Sequence, residues 1–368
     1  MALSAEALSD DAQLDALAGD WDQLAIELGR PFSSPAWVRS WGRYMRPDGV
    51  ELCVVAVTDA NRLVAVAPFA VSGREWLPPG GTLAPVEPLA VAGMEEVAAA
   101  AIADALATVE PRPRQIWVER HQGSPDWGAL VSAGWDDGRR PWAWISTTAP
   151  VPTIEFGEGF DAWLAGKSGS FRRDLRRGEK RLRSDGGEVR VSAADTLHAD
   201  IADFIRLHRS RLAAKGGSSL DDDRIVEMLA AVGRELLEED RFRLICIEVD
   251  GSTIAAQLLV SAGTEASAWN SGFDTAYGRY SPVMQCIIHG LAEVAEAGAR
   301  SMSLGPGDQP YKRRLATRQD AIERVVLVPR GSGYLGARAR LLPLRLRRAA
   351  GARLSDGHKE KIARLLRR

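Results

Sequence analysis

The chain has 368 residues, more than one average domain contains, so its length predicts two domains that can each bury a core. Hydrophobic residues make up 45% of it and charged residues 26%. These are the values of an ordinary globular protein, and they exclude a disordered or membrane-spanning class. The net charge of −2 at pH 7 provides no general attraction to a polyanion, and we expect no DNA partner.

The sequences at the two ends of the chain are informative about the location of the protein in the cell. Residues 1–20 lack a basic segment followed by an apolar one, so we predict no secretory signal and a cytoplasmic protein. Residues 338–368 are rich in arginine, and this tail is predicted to be helical and basic. It is either a solvated helix face or an interfacial helix that makes a peripheral contact with anionic lipid at the inner face of the membrane.

The three cysteines, Cys53, Cys246 and Cys286, are widely separated. None of them stands at a zinc-ligand spacing from another cysteine or from a histidine, and their odd number does not suit a disulfide framework. The sequence therefore predicts three reduced, buried thiols and no metal.

The first part of the chain alternates helical and strand patterns. Apolar periodicity predicts helices over 14–28 and 35–45, and two β-branched runs at 51–58 and 63–71 predict an antiparallel hairpin. The pattern continues with a helix at 94–109, a strand at 115–119, a short helix at 125–133 and a strand at 139–147. Pro150 and Pro152 follow, and because proline disfavours both helix and central strand, they predict a junction.

A second succession of the same kind comes after the junction. Phe242 to Val249 and Thr253 to Val260 flank Asp250-Gly251 and predict a hairpin with a tight turn. The other predicted elements are strands at 153–156, 188–192, 266–271, 300–304 and 322–329, and helices at 160–165, 170–184, 196–214, 221–238, 282–297 and 311–315.

The two successions predict an α/β (mixed α+β) fold in two related halves. Each half is expected to be a mixed, mostly antiparallel twisted sheet flanked by helices. The predicted division is an N-terminal half at 1–150, a C-terminal half at 151–335 and a basic helical tail at 336–368. No residue-level repeat links the halves, so a duplication is inferred from topology alone.

The segment 269–284 is the strongest candidate for chemistry, because nucleotide-loop, serine-triad, zinc-protease and dinucleotide motifs are absent from the sequence. A strand leads into a Gly-containing turn and then into a helix that we predict to begin at Pro282, with Ser281 as N-cap. Unpaired amides at such a helix start attract anions, and Arg279 adds a positive charge, so the turn is suited to a diphosphate. The alternative is a capped helix without a ligand.

Several short motifs together resemble a known family. They are residues 31–37, 171–177, 269–274, 277–282 and 305–312. In this order and spacing the chain resembles the GNAT-like acyltransferases of the CelD or BioF2-like acetyltransferase domain type, which are related to the tandem-GNAT FemABX transferases. The resemblance implies a tandem GNAT-like fold, acetyl-CoA or another acyl-CoA as donor, and a small-molecule or saccharide amine as acceptor. Ser281-Pro282-Val283 departs from the glycines common in GNAT proteins, and Pro282 lacks one N–H donor.

The resemblance also implies roles for individual residues. The acyl-CoA site in the second half would comprise Asn270, Arg279, Tyr280, Ser281, Val283, Met284 and Lys312. Substrate would be bound by Tyr277, which would line the acyl or acceptor pocket, and by Arg172 and Arg173 of a basic helix. Each of these residues also has a purely structural interpretation, such as core packing or a solvated helix face.

Direct attack of an amine on a thioester requires the amine to lose a proton and the leaving thiolate to gain one. Asp308 is the candidate proton acceptor, directly or through water, and Tyr311 is the candidate donor to the sulfur. Lys312 is a candidate for binding a phosphate or a carboxylate. The structural alternatives are a turn cap, a half-buried tyrosine and a surface lysine. His208 and His289 lack ligand-spaced partners, so we expect neither to be catalytic.

Two other functions remain open at this point. An aminoacyl-tRNA-dependent transferase similar to FemABX would use RNA, which suits the arginines of both basic helices, although the sequence pI of 6.3 is weak support for it. A non-catalytic GNAT-fold scaffold in envelope polysaccharide synthesis would keep the fold without the cofactor, and Ser281-Pro282 is compatible with it.

Overall fold

The computed structural model describes residues 3–81, 83–135, 139–213, 217–218 and 220–346. The described strands are β1 (Leu3–Leu8), β2 (Glu51–Asp59), β3 (Arg62–Ser72), β4 (Glu75–Leu77), β5 (Leu89–Ala90), β6 (Gln115–His121), β7 (Trp142–Glu155), β8 (Glu188–Val191), β9 (Phe242–Val249), β10 (Ser252–Ala262), β11 (Glu265–Phe273), β12 (Ser301–Ser303) and β13 (Arg318–Val328). The α-helices are α1 (Asp11–Leu28), α2 (Pro35–Ser40), α3 (Glu95–Thr108), α4 (Trp127–Ala133), α5 (Phe160–Ala165), α6 (Gly169–Ser184), α7 (Leu197–Ala213), α8 (Arg224–Leu236), α9 (Pro282–Glu296), α10 (Pro310–Leu315) and α11 (Tyr334–Arg340). Short 3-10 segments cover Pro31–Ser33 and Thr275–Tyr280, and a π segment covers Trp41–Met45.

All described strands belong to one sheet. Their order is β1-β2-β3-β4-β6-β13-β7-β12-β11-β10-β9-β8, with β5 paired to β3. β4 runs parallel to β6, and β11 runs parallel to β12, while the other described pairs are antiparallel. The predicted mixed fold with a mostly antiparallel sheet flanked by helices is therefore confirmed.

Helices cover both faces of the sheet, because side chains of opposite parity along each strand face different layers. Along β9, Phe242 and Leu244 pack in one cluster, and Ile245 and Ile247 pack in another. The first cluster includes α1, α2, α7 and α8 and extends across both halves. On the opposite face, α3 and α4 cover the first half, and α5, α6 and α9 cover the second. This is a three-layer arrangement with the sheet in the middle.

The hairpin prediction in the second half is confirmed. β9 and β10 pair through Val249 and Ser252, and the two residues between them, Asp250 and Gly251, have φ values of 51° and 71°. Positive φ at both central positions is the geometry of a type I′ turn, which matches the twist of the two strands. In the first half β2 and β3 form the predicted antiparallel pair, and β1, which the sequence analysis did not predict, pairs with β2 along Leu3–Leu8.

The proline junction does not interrupt the sheet. β7 runs without a break from Trp142 to Glu155, where the sequence predicts two strands separated at 149–152. The carbonyls of Pro150 and Pro152 accept from the N–H groups of Gly307 and Leu304, both at 2.9 Å. In an antiparallel strand the N and O atoms of one residue face the same side, so both proline nitrogens face away from β13. The β13 ladder therefore loses no donor, and the strand is preserved.

The remaining sequence predictions concern the thiols and the tail. All three cysteines are free and buried, as predicted. Within the described chain no helix is long and apolar enough to cross a membrane. The structure describes the start of the predicted basic tail, including the exposed side chains of Leu342, Leu344 and Leu346. The rest of it, 347–368, lies outside the described residues, and its membrane contact stays a prediction.

Candidate functional site

β11 loses its partner strand β12 part-way along its length, which leaves an opening in the hydrogen-bond ladder. The two strands pair only from Glu265 to Ser267, although β11 continues to Phe273. After β12 the chain turns towards β7, where it is held by the bonds from Leu304 and Gly307 described above. Consequently no described strand pairs with residues 268–273 on this edge of β11.

β11 also carries a β-bulge in this region. On the β10 side Leu258 pairs with Asn270 and Leu259 pairs with Ala268, so Trp269 is an extra residue in the ladder. Such a bulge bends the strand and leaves the extra residue unpaired, and bulges are common beside active sites. The indole Nε1 of Trp269 donates to the carbonyl of Leu83 at 2.6 Å, so this side chain contacts the first half of the chain.

The helix that follows β11 begins at the predicted residue but without the predicted cap. α9 starts at Pro282, and the preceding Ser281 has φ 51° and ψ 52°, in the left-handed region, with no side-chain capping bond. Ser281 thus stands at the predicted N-cap position, but its hydroxyl does not cap the helix, because a capping serine uses its side chain from an extended backbone. The N–H of Ser281 donates to Gly278 at 3.0 Å and that of Met284 donates to Ser281 at 2.9 Å. Among the described residues at 281–284, Val283 has the one N–H without an intramolecular acceptor.

The predicted cation of this turn is already paired with a carboxylate. Arg279 is 60% exposed, and its Nη2 lies 3.2 Å from Asp185 at the end of α6. The Tyr280 ring is buried, and its hydroxyl donates to Asp185 at 2.6 Å. This bond lowers the pKa of Asp185 and raises that of Tyr280, and burial adds to the latter. The structure thus places Tyr280 in the core rather than in a cleft, and Tyr277 stacks on it at a centroid distance of 6.2 Å.

α6 packs closely against the start of α9. A Cβ at Gly178 would lie 2.8 Å from the carbonyl oxygen of Tyr280, so only glycine permits this approach. The Nε2 of Gln285 donates to the carbonyl of Leu175 at 3.1 Å. Val283 and Met284 are half-buried against the same core cluster. Helix α6 therefore packs against Tyr280 and Gln285, while Arg279 and Ser281 on the predicted diphosphate surface stay exposed.

Arg172 and Arg173 lie on α6 in different surroundings. Arg172 lines a groove of about 270 Å³ between α5, α6 and α9, whose floor is largely apolar. Its Nε is buried and has no hydrogen-bond partner in the described chain. Arg173 is exposed. In the part of the chain that the structure describes, neither arginine forms a hydrogen bond or ion pair with Lys312 or Tyr311, so their predicted role in substrate binding stays a prediction.

Lys312 is the most unusual predicted residue. It is 7% exposed, and its Nζ donates to the carbonyl oxygens of Gly305 and Pro306, both at 3.0 Å. Burial lowers its pKa to about 8, because a charge is poorly solvated there and no described carboxylate pairs with it. A Cβ at Gly305 would lie 3.0 Å from the carbonyl oxygen of Ala268 and 3.7 Å from the Nζ of Lys312, so the lysine lies close to β11 just beyond the last residue that pairs with β12.

Tyr311 and Asp308 lie on either side of the start of α10. Tyr311 is 37% exposed, and burial raises its pKa, while the charge of Arg211 acts in the opposite direction. Asp308 is paired with Arg313 at 3.1 Å, and both side chains are about half exposed. An ion pair with this exposure stabilises the protein little, so Asp308 is free to exchange partners at small cost.

α7 contributes two residues that the sequence analysis did not assign to the site. The guanidinium of Arg211 lies 5.7 Å from the Phe273 ring centroid, and its buried Nε has no hydrogen-bond partner among the described residues. Burial lowers its pKa, and the nearby Tyr311 opposes this. The Nδ1 of His208 lies 2.9 Å from Ser218 Oγ. Burial, and to a lesser extent the charge of Arg211, lower the pKa of His208 to about 4, whereas a hydrogen bond to Asn270 acts to raise it. The imidazole is therefore neutral at pH 7.

The structure therefore separates the predicted site into two groups. Asn270, Tyr311 and Lys312 lie around the open end of β11, together with Arg211 and His208 from α7. Arg279, Tyr280 and Ser281 lie at the start of α9, in contact with Asp185 and α6. The basic residues at the end of α7 were visible in the sequence and could have pointed to the first group. Periodicity alone, however, does not show which side chains of a helix face the end of a strand.

Comparisons with known proteins bear on the fold of the chain. Residues 169–313 match the family model for the Acetyltransferase (GNAT) domain. The crystal structure of FemX superposes with a TM-score of 0.60 at 11% identity, over 86% of this chain and 96% of that one. The C-terminal domain of a putative lysylphosphatidylglycerol synthetase from Agrobacterium fabrum superposes with a TM-score of 0.55 at 14% identity, over 89% and 96%. A search of the curated proteins gave no match.

At these identities the structural likeness is one of fold. The chain thus has a GNAT-like fold, and within its second half residues 169–313 are similar to an acetyltransferase (GNAT) domain. Its resemblance to the CelD or BioF2-like type stays a prediction.

Proposed function

We propose that the chain is an N-acyltransferase that moves an acyl group, in the first instance acetyl, from acyl-CoA to an amine by direct attack. The observation that carries the proposal is the open, bulged end of β11 with the buried ammonium of Lys312 beside it. A gap between two diverging parallel strands admits a narrow chain such as pantetheine. The acceptor would be a small-molecule or saccharide amine.

The chemistry assigned to this gap follows from the state of each group. The amine attacks the thioester carbonyl carbon, and negative charge develops on the carbonyl oxygen. Lys312, with a pKa of about 8, is mostly charged at pH 7 and would stabilise that oxygen together with backbone N–H groups at the bulge. Tyr311, whose raised pKa keeps it protonated, would donate to the leaving sulfur, and Asp308 would accept the proton of the amine.

The anionic diphosphate of the acyl-CoA donor needs a binding site of its own. The N–H of Val283 and the guanidinium of Arg279 are the groups available at the start of α9, and a diphosphate would have to displace Asp185 from Arg279. Arg211 is a second candidate, because it is an arginine without a carboxylate partner in the described chain and lies beside Tyr311.

Binding and turnover by the purified protein test the proposal. Acetyl-CoA at about 100 times its dissociation constant should add about 2.7 kcal/mol to the stability, seen as a rise in melting temperature. Tyr311→Phe should bind acetyl-CoA as tightly as wild type but lower kcat by roughly 10²-fold or more, as expected for loss of a general acid. Arg279→Ala should weaken binding. No binding of any acyl-CoA, or full activity in both variants, would contradict the proposal.

A second candidate is transfer from aminoacyl-tRNA, favoured by the charge of α6. This helix carries exposed arginines, among them Arg173, Arg176 and Arg177, with few acidic residues. A polyphosphate backbone suits such a surface, and its binding would weaken steeply with salt. Salt-sensitive tRNA binding without acyl-CoA binding would favour this donor. Binding of neither donor would favour the non-catalytic scaffold.

We also propose a cytoplasmic location with peripheral membrane contact through the basic tail. Support comes from the exposed leucines at its start, which accompany arginines such as Arg340 and Arg345. Deletion of 336–368 should abolish co-sedimentation with vesicles that contain anionic lipid, and unchanged sedimentation would contradict the proposal.

A further inference from the structure

A basic cavity lies in the described chain, away from the acyl-transfer site. Its volume is about 350 Å³, and it is situated at the end of the sheet where β4 and β6 begin and β13 ends. Its lining comes from Arg74, from residues 110–114 and from residues 329–334. Four of the lining residues are arginines, and Glu110 is the one lining carboxylate: the arginines are Arg74, Arg112, Arg114 and Arg330.

Backbone contacts hold the first arginine in place. The Nε of Arg74 donates to the carbonyl of Arg112 at 2.6 Å. The carbonyl of Arg74 in turn accepts from the N–H of Arg114 at 2.7 Å. These reciprocal bonds fix the guanidinium of Arg74 against the 110–114 loop, so it does not move freely in solvent.

Arg114 and Arg330 line the same cavity. A Cβ at Gly333 would lie 3.0 Å from the Nε of Arg114, so the missing side chain gives this arginine its position. The Nε of Arg330 donates to the carbonyl of Arg140 at 3.3 Å, and its Cζ lies 5.6 Å from the centre of the Tyr334 ring. Arg74, Arg114 and Arg330 form no ion pair with any carboxylate that the structure describes.

We propose that this cavity binds the diphosphate group of a small molecule. Three guanidiniums from distant parts of the chain line one cavity, and its one lining carboxylate, Glu110, forms no described ion pair with them, so their like charges repel unless an anion lies between them. The planar guanidinium donates paired N–H groups that match phosphate oxygens. The cavity is independent of the acyl-transfer site, because the eleven residues of β13 separate the two ends of the sheet by roughly 30 Å.

Calorimetric titration of the full-length protein with inorganic diphosphate at constant ionic strength tests the proposal. We expect saturable binding with a dissociation constant below about 1 mM. The double variant Arg114→Gln/Arg330→Gln should weaken this binding by at least about tenfold, since two charge-assisted hydrogen bonds are lost. A parallel titration with a nucleoside diphosphate distinguishes the source: tighter binding than inorganic diphosphate indicates a nucleotide, and equal binding indicates the free anion.

A matched control removes the same charge elsewhere. Arg62 and Arg234 are exposed and form no ion pair in the described structure, so Arg62→Gln/Arg234→Gln should bind diphosphate as wild type does. Circular dichroism and the melting temperature without ligand establish that each variant is folded, and Arg330→Gln alone replaces the double variant if that one is not. Absence of saturable binding to wild type, or equal weakening in the control variant, would overturn the proposal.

Discussion

Replacement of Lys312 by methionine tests whether this lysine is a buried cation. Its side chain is 7% exposed and donates to two carbonyl oxygens, and burial lowers its pKa from 10.5 to about 8. Methionine keeps an unbranched apolar stem of similar length and removes the titrating group. Lys180 on α6 is exposed, so Lys180→Met is the control.

The magnitude follows from the two pKa values. In the unfolded chain the lysine titrates near 10.5, so between pH 8 and 10.5 the unfolded state binds more protons than the folded state. The free energy of unfolding therefore rises with pH across this range, by about 3 kcal/mol in total and by about 1.4 kcal/mol up to pH 9. Below pH 8 the lysine is charged in both states and contributes no slope.

Urea unfolding of the three proteins from pH 7 to pH 10 measures this contribution. The free energy of unfolding of wild type minus that of Lys312→Met should increase by about 1.4 kcal/mol between pH 7 and pH 9, whereas wild type minus Lys180→Met should stay constant. If the Lys312 difference is also constant, the ammonium is solvated, and its assignment to the opening beside β11 is wrong.

Three further results are expected. Gly178→Ala should destabilise the protein by about 1–3 kcal/mol in urea unfolding, because its Cβ would lie 2.7 Å from a glutamine nitrogen on α9, whereas Gly19→Ala, with open space around it, should be neutral or stabilising. Arg190→Ala should cost about 3–5 kcal/mol, because Asp200, 5% exposed and 2.6 Å from the guanidinium, loses its partner. His208 has a pKa of about 4 in the folded state and 6.5 in the unfolded state, so the unfolded state binds more protons between these values. The free energy of unfolding should therefore fall by about 3 kcal/mol as the pH falls from 6.5 to 4, and His208→Gln should remove that dependence.

Local patterns in the sequence were sufficient to predict most of the helices and strands. Asp250-Gly251 between two β-branched runs predicts a hairpin because few residues tolerate positive φ at both turn positions. Pro282 predicts the start of α9 because its fixed φ and missing N–H suit a first helical turn. Both predictions depend on residues adjacent in the chain, and the structure confirms both.

The site could be predicted only in part, because its groups are assembled by contacts between distant segments. The Ser281 hydroxyl makes no capping bond to α9, because this residue also ends the preceding 3-10 segment in a left-handed backbone, and no short motif predicts that conformation. Arg279 is paired with Asp185, which lies at the end of α6, some ninety residues earlier in the sequence. His208 faces Asn270 only because Gly272 lets α7 approach β11, where a Cβ would lie 2.5 Å from the backbone nitrogen of His208.

β13 joins the two halves and also positions the site. It pairs with β7 from Arg318 to Val328 and with β6 from Ile322 to Leu327, so a strand from the end of the second half lies inside the sheet of the first. Without it, β6 and β7 would each expose an unpaired edge. The predicted division at residue 150 therefore separates two similar successions of helices and strands. It does not separate two sheets, because the single sheet contains strands from both halves. Because the segment with Lys312 is tied down by β12 before it and β13 after it, the central strands of the whole sheet hold the lysine at the opening.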